Sequence, residues 1–196
     1  MNSSREEVRN RLSAAVALLE SCPEFARLIP EVRTNIVFAP VDARTPSDIA
    51  AVDGRITVVG GKPKASGPVQ FGASDHLARL VLELRRFQPA IRTALNFRWN
   101  EQILSFVATW AAQQGKRLGV IDRTKEPDTV IGKDRMSIPW KVKELLASTG
   151  GTVPELFYET RGWGKEPLFI IVGTDPVVIV KEVTALARAY AQFQPK

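Results

Sequence analysis

The chain has one cysteine, Cys22, in 196 residues, which excludes an internal disulfide and any cysteine-built metal cluster. It has one histidine, His76, so zinc or iron sites assembled from several imidazoles are excluded too. No apolar run approaches the roughly 20 residues that a membrane helix needs. The first residues, Met1-Asn2-Ser3-Ser4-Arg5-Glu6-Glu7, lack the apolar core of a signal peptide, and a cytoplasmic protein is expected. Neither a GxxxxGK[ST] phosphate loop nor a GxGxxG fingerprint occurs, which argues against nucleotide sites of those kinds.

What is present is a globular composition, 44% hydrophobic and 24% charged, long enough for a real core. A net charge of +6 favours anionic ligands. The basic residues are dispersed, with no run of four or more, so phosphorylated small molecules explain the excess as well as nucleic acid does. Trp99 beside Arg98 is the lone hint of a base-stacking platform, and direct nucleic-acid binding ranks last.

Hydrophobic spacing organises the chain into alternating elements. Val8, Leu12, Val16 and Leu19 predict a helix over 4–20, stopped at Cys22-Pro23, with Cys22 read as packing. Strands are expected at 35–39, 56–59, 93–97, 118–121, 156–158 and 168–172, the last near-continuously apolar and therefore interior. Thr45-Pro46-Ser47-Asp48 reads as a turn into a short helix. Helices are expected over 74–87, 101–114, 138–149 and 176–192. Strand–helix alternation of this kind predicts an α/β fold with helices covering a sheet.

Three constellations carry chemistry. Phe71-Gly72-Ala73-Ser74-Asp75-His76 runs a small-residue turn into a helix start, whose first N–H groups have no partner within the helix and suit an anion. Arg55 and Arg79 add fixed charge nearby, and His76 titrates near neutral pH. Next, the triplet Lys-Glu-Pro occurs twice at strand ends, in Asp122-Arg123-Thr124-Lys125-Glu126-Pro127 and in Gly162-Trp163-Gly164-Lys165-Glu166-Pro167. Lys165 offers a point charge to a phosphate, and Asp122, Glu126 and Glu166 are candidate magnesium ligands. Finally, strand alternation puts Arg92, Ala94, Asn96 and Arg98 on one face, a possible clamp for phosphate or carboxylate.

Taken in order, Pro30-Glu31-Val32-Arg33-Thr34-Asn35, Asp53-Gly54-Arg55-Ile56, Phe71-Gly72-Ala73-Ser74-Asp75-His76, Arg92-Thr93-Ala94-Leu95-Asn96, Asp122-Arg123, Glu126-Pro127 and Gly164-Lys165-Glu166-Pro167 resemble the signature of the archaeal-type thiamine-phosphate synthase (ThiN) family. Each motif is weak alone; the ordered set is strong. The resemblance runs from about Ile29 to Val183, and divides the chain into an N-terminal helical extension, 1–28, and a ThiN-like domain, 29–196. It implies a three-layer α/β/α fold with a mixed central sheet, similar to the aldolase-like class.

The resemblance also implies a transferase reaction. Hydroxymethylpyrimidine diphosphate and hydroxyethylthiazole phosphate condense to thiamine phosphate with release of pyrophosphate. Arg55 and His76 are then the expected catalytic pair. Asn35, Gly72, Ser74, Arg92, Asn96, Arg123, Gly164, Lys165 and Glu166 are the expected substrate-binding residues, with Mg2+ as cofactor on Asp122 and Glu126. The alternative is a non-catalytic thiamine-phosphate sensor, since the family also serves as the ligand-binding half of regulators. The 28 residues before Ile29 hold one helix, too little for a winged helix, and no kinase domain accompanies the motifs. Two departures stand out: Glu159 stands near where the family carries an aspartate, and bulky Trp163 sits between the glycines of the second triplet loop. A symmetric homodimer is expected, through the N-terminal or the 176–192 helix.

Overall fold

A computed structural model describes residues 4–130, 134–162 and 164–193. Trp163, between the two glycines, lies outside the described residues. In chain order the elements are α1 (Arg5–Glu20), β1 (Ile36–Phe38), β2 (Ala50–Val52), β3 (Ile56–Val59), β4 (Lys62–Ala65), β5 (Val69–Phe71), α2 (Asp75–Leu84), β6 (Thr93–Arg98), α3 (Glu101–Gln113), β7 (Leu118–Ile121), α4 (Asp134–Thr149), β8 (Leu156–Glu159), β9 (Leu168–Gly173) and α5 (Pro176–Gln192). Strands β5-β2-β1-β6-β9-β8-β7 form one sheet, antiparallel throughout except for the β7–β8 pair. Strands β3 and β4 make a separate hairpin. The central sheet is therefore mixed, as expected.

Side-chain alternation divides the core into two layers. In β9, Phe169 and Ile171 join α1, α3 and α5 on one face, while Ile170 and Val172 join α2 and α4 on the other. β9 buries both faces, which is why it reads as an unbroken apolar run. It lies between β6 and β8, inside the sheet. Helices on both sides make the three-layer α/β/α architecture.

Helix α1 opens on a capping box between Ser4 and Glu7, and buries Val8, Leu12, Ala15, Val16 and Leu19. Those residues belong to the same core layer as α5, and Arg11 Nε donates to Asp175 at 2.8 Å. The two helices named above for self-association thus pack against each other within one chain. Cys22 is fully buried below them, and burial pushes its thiol above the usual range.

Three short strands were not expected. Pro46–Asp48 is a single 3-10 turn, and Ala50–Val52 continues as strand β2 rather than as a helix. Alanine is a strong helix former, but propensity is a weak prior, and pairing with β1 on one side and β5 on the other overrides it. Lys62–Ala65 carries Pro63, which a two-stranded hairpin tolerates because one side of each strand needs no ladder bond. Helix α4 begins four residues before the expected start at 138, with Pro139 inside it. Among the described residues no helix is long and apolar enough to cross a membrane.

Candidate active site

A cleft of about 390 Å3 opens at the end of the sheet where β6, β7 and β8 finish and β1 and β9 begin. It lies on the α2/α4 face, because Asn96, Glu159 and Ile170 follow the alternation of Ala94, Phe157 and Val172. Arg55, Ser74, His76, Asn35, Asn96, Arg123, Gly164, Lys165 and Glu166 all line it, drawn from segments up to 131 residues apart (Asn35 to Glu166). Lys141 and Glu159 complete its charged wall.

The first turn of α2 faces this cleft, with Ala73 to Leu77 on its wall. Gly72 stands outside the wall at φ +78°, making the turn that aims the helix. Ser74 is the N-cap residue but its hydroxyl makes no capping bond, and the first N–H groups of a helix have no partner within the helix itself. Partial positive charge at that end favours an anion. Asp75 accepts from Arg79 Nε at 2.7 Å one turn along, which occupies Arg79 away from the cleft.

Arg55 adopts a left-handed backbone, φ +69°, and its Nη1 donates to the Val32 carbonyl at 2.5 Å. Among the described residues it makes no ion pair, so its charge is compensated only by a neutral acceptor. Asn35 and Asn96 line the floor but are bound into the sheet. Asn35 Nδ2 donates to Val52 O and its Oδ1 accepts from Val52 N and Ile36 N. Asn96 Oδ1 accepts from Asn35 N, and its Nδ2 donates to Arg33 O. Both amides hold the ends of β1, β2 and β6 together.

Behind the floor lies a buried charge network. Arg123 donates to Glu126 Oε2 through Nε at 2.9 Å and Nη2 at 2.5 Å, and its Nη1 stands 3.8 Å from Glu159. Lys141, only 1% exposed, donates from Nζ to Glu159 at 2.5 Å. Burial raises the Glu159 carboxyl, but the charges of Lys141, His76 and Arg123 prevail and hold it below the usual carboxylate range. Gly162 covers the Arg123 guanidinium so closely that an added Cβ would stand 2.3 Å from Cζ.

Several expected residues lie elsewhere. Arg92 stands at the opposite end of β6, its Nε donating to Ala39 O at 2.8 Å and its guanidinium over the Phe38 ring. It shares a face with Asn96, yet four residues of extended strand separate them by about 13 Å. Asp122 is engaged by Thr124 and Lys125, and Glu126 by Arg123, and neither lines the cleft. Among the described residues no three histidine, cysteine or acidic side chains gather into a metal site. Asp122 and Glu126, held by these neighbours and off the cleft wall, present no carboxylate pair to it.

Lys141 and Glu159 were missed as wall residues. Lys141 sits at helical spacing with Ser137 and Leu145 and beside Ile138 and Val142 on the buried stripe of α4, and a lysine inside an apolar stripe was the available signal. Glu159 is the strand-end continuation of buried Phe157. A second, more open cleft of about 620 Å3 shares Gly164, Lys165 and Glu166 with the first, and is otherwise lined by residues including Arg98, Trp99, Asn100 and Arg161.

Residues 11–185 match the family model described as thiamine-phosphate synthase ThiN. The chain is 36% identical over 188 residues to thiamine-phosphate synthase ThiN of Methanothermobacter thermautotrophicus, with 96% of each chain covered. It is 32% identical over 189 residues to the bifunctional thiamine biosynthesis protein ThiDN of Methanocaldococcus jannaschii, covering 95% of this chain and 42% of that one. Among solved structures, the C-terminal domain of a phosphomethylpyrimidine kinase superposes with a TM-score of 0.86 at 36% identity, covering 93% of this chain and 100% of that domain. An L-fuculose-1-phosphate aldolase from Thermus thermophilus superposes with a TM-score of 0.50 at 16% identity over 94% of this chain and 93% of that one, a likeness of fold alone.

Proposed function

The chain belongs to the thiamine-phosphate synthase ThiN family, and from that premise we propose that it is itself a thiamine-phosphate synthase. Its substrates are a hydroxymethylpyrimidine diphosphate and a hydroxyethylthiazole phosphate. The observation that carries the reading is the meeting of Arg55, His76 and the uncapped start of α2 on one cleft wall.

In this reaction the bond from the pyrimidine methylene carbon to the diphosphate oxygen breaks, and its electron pair leaves with pyrophosphate. The thiazole nitrogen lone pair forms the new C–N bond, with no net oxidation or reduction. Charge therefore grows on the leaving diphosphate, where fixed donors accelerate the step most. Arg55 and the first N–H groups of α2 receive that charge, and His76 donates to the departing oxygen. Lys165 lines both clefts, and in this reading its ammonium touches both phosphorylated substrates. The thiazole phosphate takes the open cleft, near Arg98 and Arg161, so that its ring enters from the side opposite α2.

Magnesium belongs in this scheme as part of the substrate. The ion dehydrates reluctantly and commonly rides on phosphates with few protein ligands, which suits a site where no three acidic side chains gather among the described residues.

The test is a synthase assay of the purified chain with both substrates and magnesium. Product that falls by about a hundredfold or more in Arg55→Ala and in His76→Ala is the expected result. Tight binding of thiamine phosphate without any turnover would instead identify a sensor.

A further inference from the structure

Two turns face each other beside the cleft. Residues 30–33 form one, closed by Arg33 N donating to Pro30 O at 2.9 Å; residues 52–55 form the other, closed by Arg55 N donating to Val52 O at 3.3 Å. Each ends on an arginine in the left-handed region, Arg33 at φ +67° and Arg55 at φ +69°. These are the positive-φ residues other than glycine among the described residues. A non-glycine side chain held there carries strain, of order 1–3 kcal/mol, that the surroundings must sustain.

The surroundings do so by exchange. Arg33 Nη1 donates to Gly54 O at 3.3 Å, and Arg55 Nη1 donates to Val32 O at 2.5 Å. Thr34 and Ile56 then pair as an isolated bridge, with bonds of 3.1 and 2.7 Å. Each turn thus holds the other's arginine by a backbone carbonyl.

The clasp is closed from a third side. Inside a tight turn the two central N–H groups point outward with no partner of their own. Here they belong to Glu31 and Val32, and the Glu166 carboxylate accepts both, at 3.1 and 3.0 Å. The peptide oxygen that holds Arg55 therefore belongs to a residue whose own N–H is fixed by Glu166. Glu166 follows Lys165 on the wall shared by both clefts.

We propose that Glu166 is a positioning residue that acts through the 30–33 turn: it fixes the Val32 carbonyl, and the carbonyl aims the Arg55 guanidinium at the diphosphate of the substrate. This rests on the synthase reading above, and changes the role of Glu166 from substrate ligand to latch. Its carboxylate is spent on two backbone amides, and a bare carboxylate would repel the anionic substrates. The strained backbone at Arg55 holds the side chain in a narrow range only while both turns stay joined.

The experiment is a double-mutant cycle read by calorimetry with inorganic pyrophosphate and magnesium, and by steady-state kinetics. Glu166→Gln replaces an acceptor oxygen by an NH2 group, and should weaken pyrophosphate binding and lower kcat/KM by about tenfold, the scale of coupling between contacting residues. Arg55→Ala should lose more. Glu166→Gln added to Arg55→Ala should lose nothing further, because the latch then has nothing to aim. Glu166→Asp keeps the charge and the fold but draws the carboxylate back, and should fall between native and Glu166→Gln. It decides the matter if Glu166→Gln proves unstable, since its loss must likewise vanish in the Arg55→Ala background. Additive losses, with native pyrophosphate binding intact, would overturn the latch alone. A native chain that neither binds pyrophosphate nor makes product would overturn the synthase reading and the latch with it.

Discussion

Lys125-Glu126-Pro127 and Lys165-Glu166-Pro167 are chemically identical triplets, and each follows one strand of the parallel β7–β8 pair. Ile121 and Glu159 are register partners, so the two loops leave the sheet side by side. They are even tied together: Thr160 N donates to Ile121 O at 3.0 Å, and Arg123 N to Thr160 Oγ1 at 2.8 Å. Yet Glu126 turns inward onto Arg123, while Glu166 reaches sideways to the 30–33 turn. Lys125 extends to Glu144 and Asp122 on the exposed surface, while Lys165 lines both clefts. The difference lies in what precedes each triplet. Arg123, three residues before Glu126, captures that carboxylate locally, whereas the sequence has Trp163 rather than a cation three residues before Glu166. The first loop's carboxylate is tied into a buried charge network, and the second loop's lysine faces both clefts.

The largest effect expected from breaking this contrast is on stability. Glu126→Leu leaves the Arg123 guanidinium buried with only the distant Glu159 contact, 3.8 Å away. Removing one partner of a buried pair costs about 3–5 kcal/mol. Urea unfolding of the variant should show that loss, and a midpoint close to the native one would mean that the first loop is not structural. Lys165→Ala should do the reverse. Stability should move by less than about 0.5 kcal/mol, while kcat/KM should drop by about a hundredfold, the scale for losing one donor to developing charge. Equal kcat/KM in native and Lys165→Ala would remove the second loop from the site.

A third test concerns the carboxylate that joins the loops. Glu159 is held below its ordinary range in the folded chain, so its contribution to stability is fully present above about pH 4.3, the ordinary glutamate value. That contribution fades as pH falls through the lower folded value, because the proton then binds the unfolded chain more readily. Thermal midpoints of the native chain should fall through this acid window. Glu159→Gln should start lower at neutral pH and show a flatter acid limb. Parallel limbs for the two proteins would show that Glu159 does not carry the charge of the network.

Much of the fold was legible because it rests on local periodicity. Alternation marks β6, an unbroken apolar run marks β9, and the spacing of Leu77, Leu80, Val81 and Leu84 marks α2. Strands β2 and β5 were not, since three residues such as Ala50-Ala51-Val52 carry no period and become strands only through pairing with other segments; β4 pairs with the adjacent β3 but is hidden by Pro63 and its charged residues. The cleft shows the same division. Arg55, His76 and Lys165 stand in short motifs and can be read from them. Lys141 has no motif, and only its place on a buried helical stripe betrays it. Arg92 illustrates the opposite error, because sharing a strand face with Asn96 says nothing about sharing one end of the strand.

The smallest expected effect sharpens the comparison most. Lys125 pairs with Glu144 at 3.0 Å and Asp122 at 3.6 Å, but its side chain is 63% exposed. At such a surface the attraction works through water, and ordering a long side chain offsets most of it. Lys125→Ala should therefore leave the thermal midpoint and kcat/KM unchanged within error. Set beside Lys165→Ala, it is a control of the same chemistry in the same triplet, on the neighbouring strand of the same sheet. If Lys125→Ala lowered kcat/KM as far as Lys165→Ala does, the positive field over that sheet end would be acting as a whole. If only Lys165→Ala does so, the charge must act at contact distance, which is what the proposed substrate contact on the wall shared by the two clefts requires.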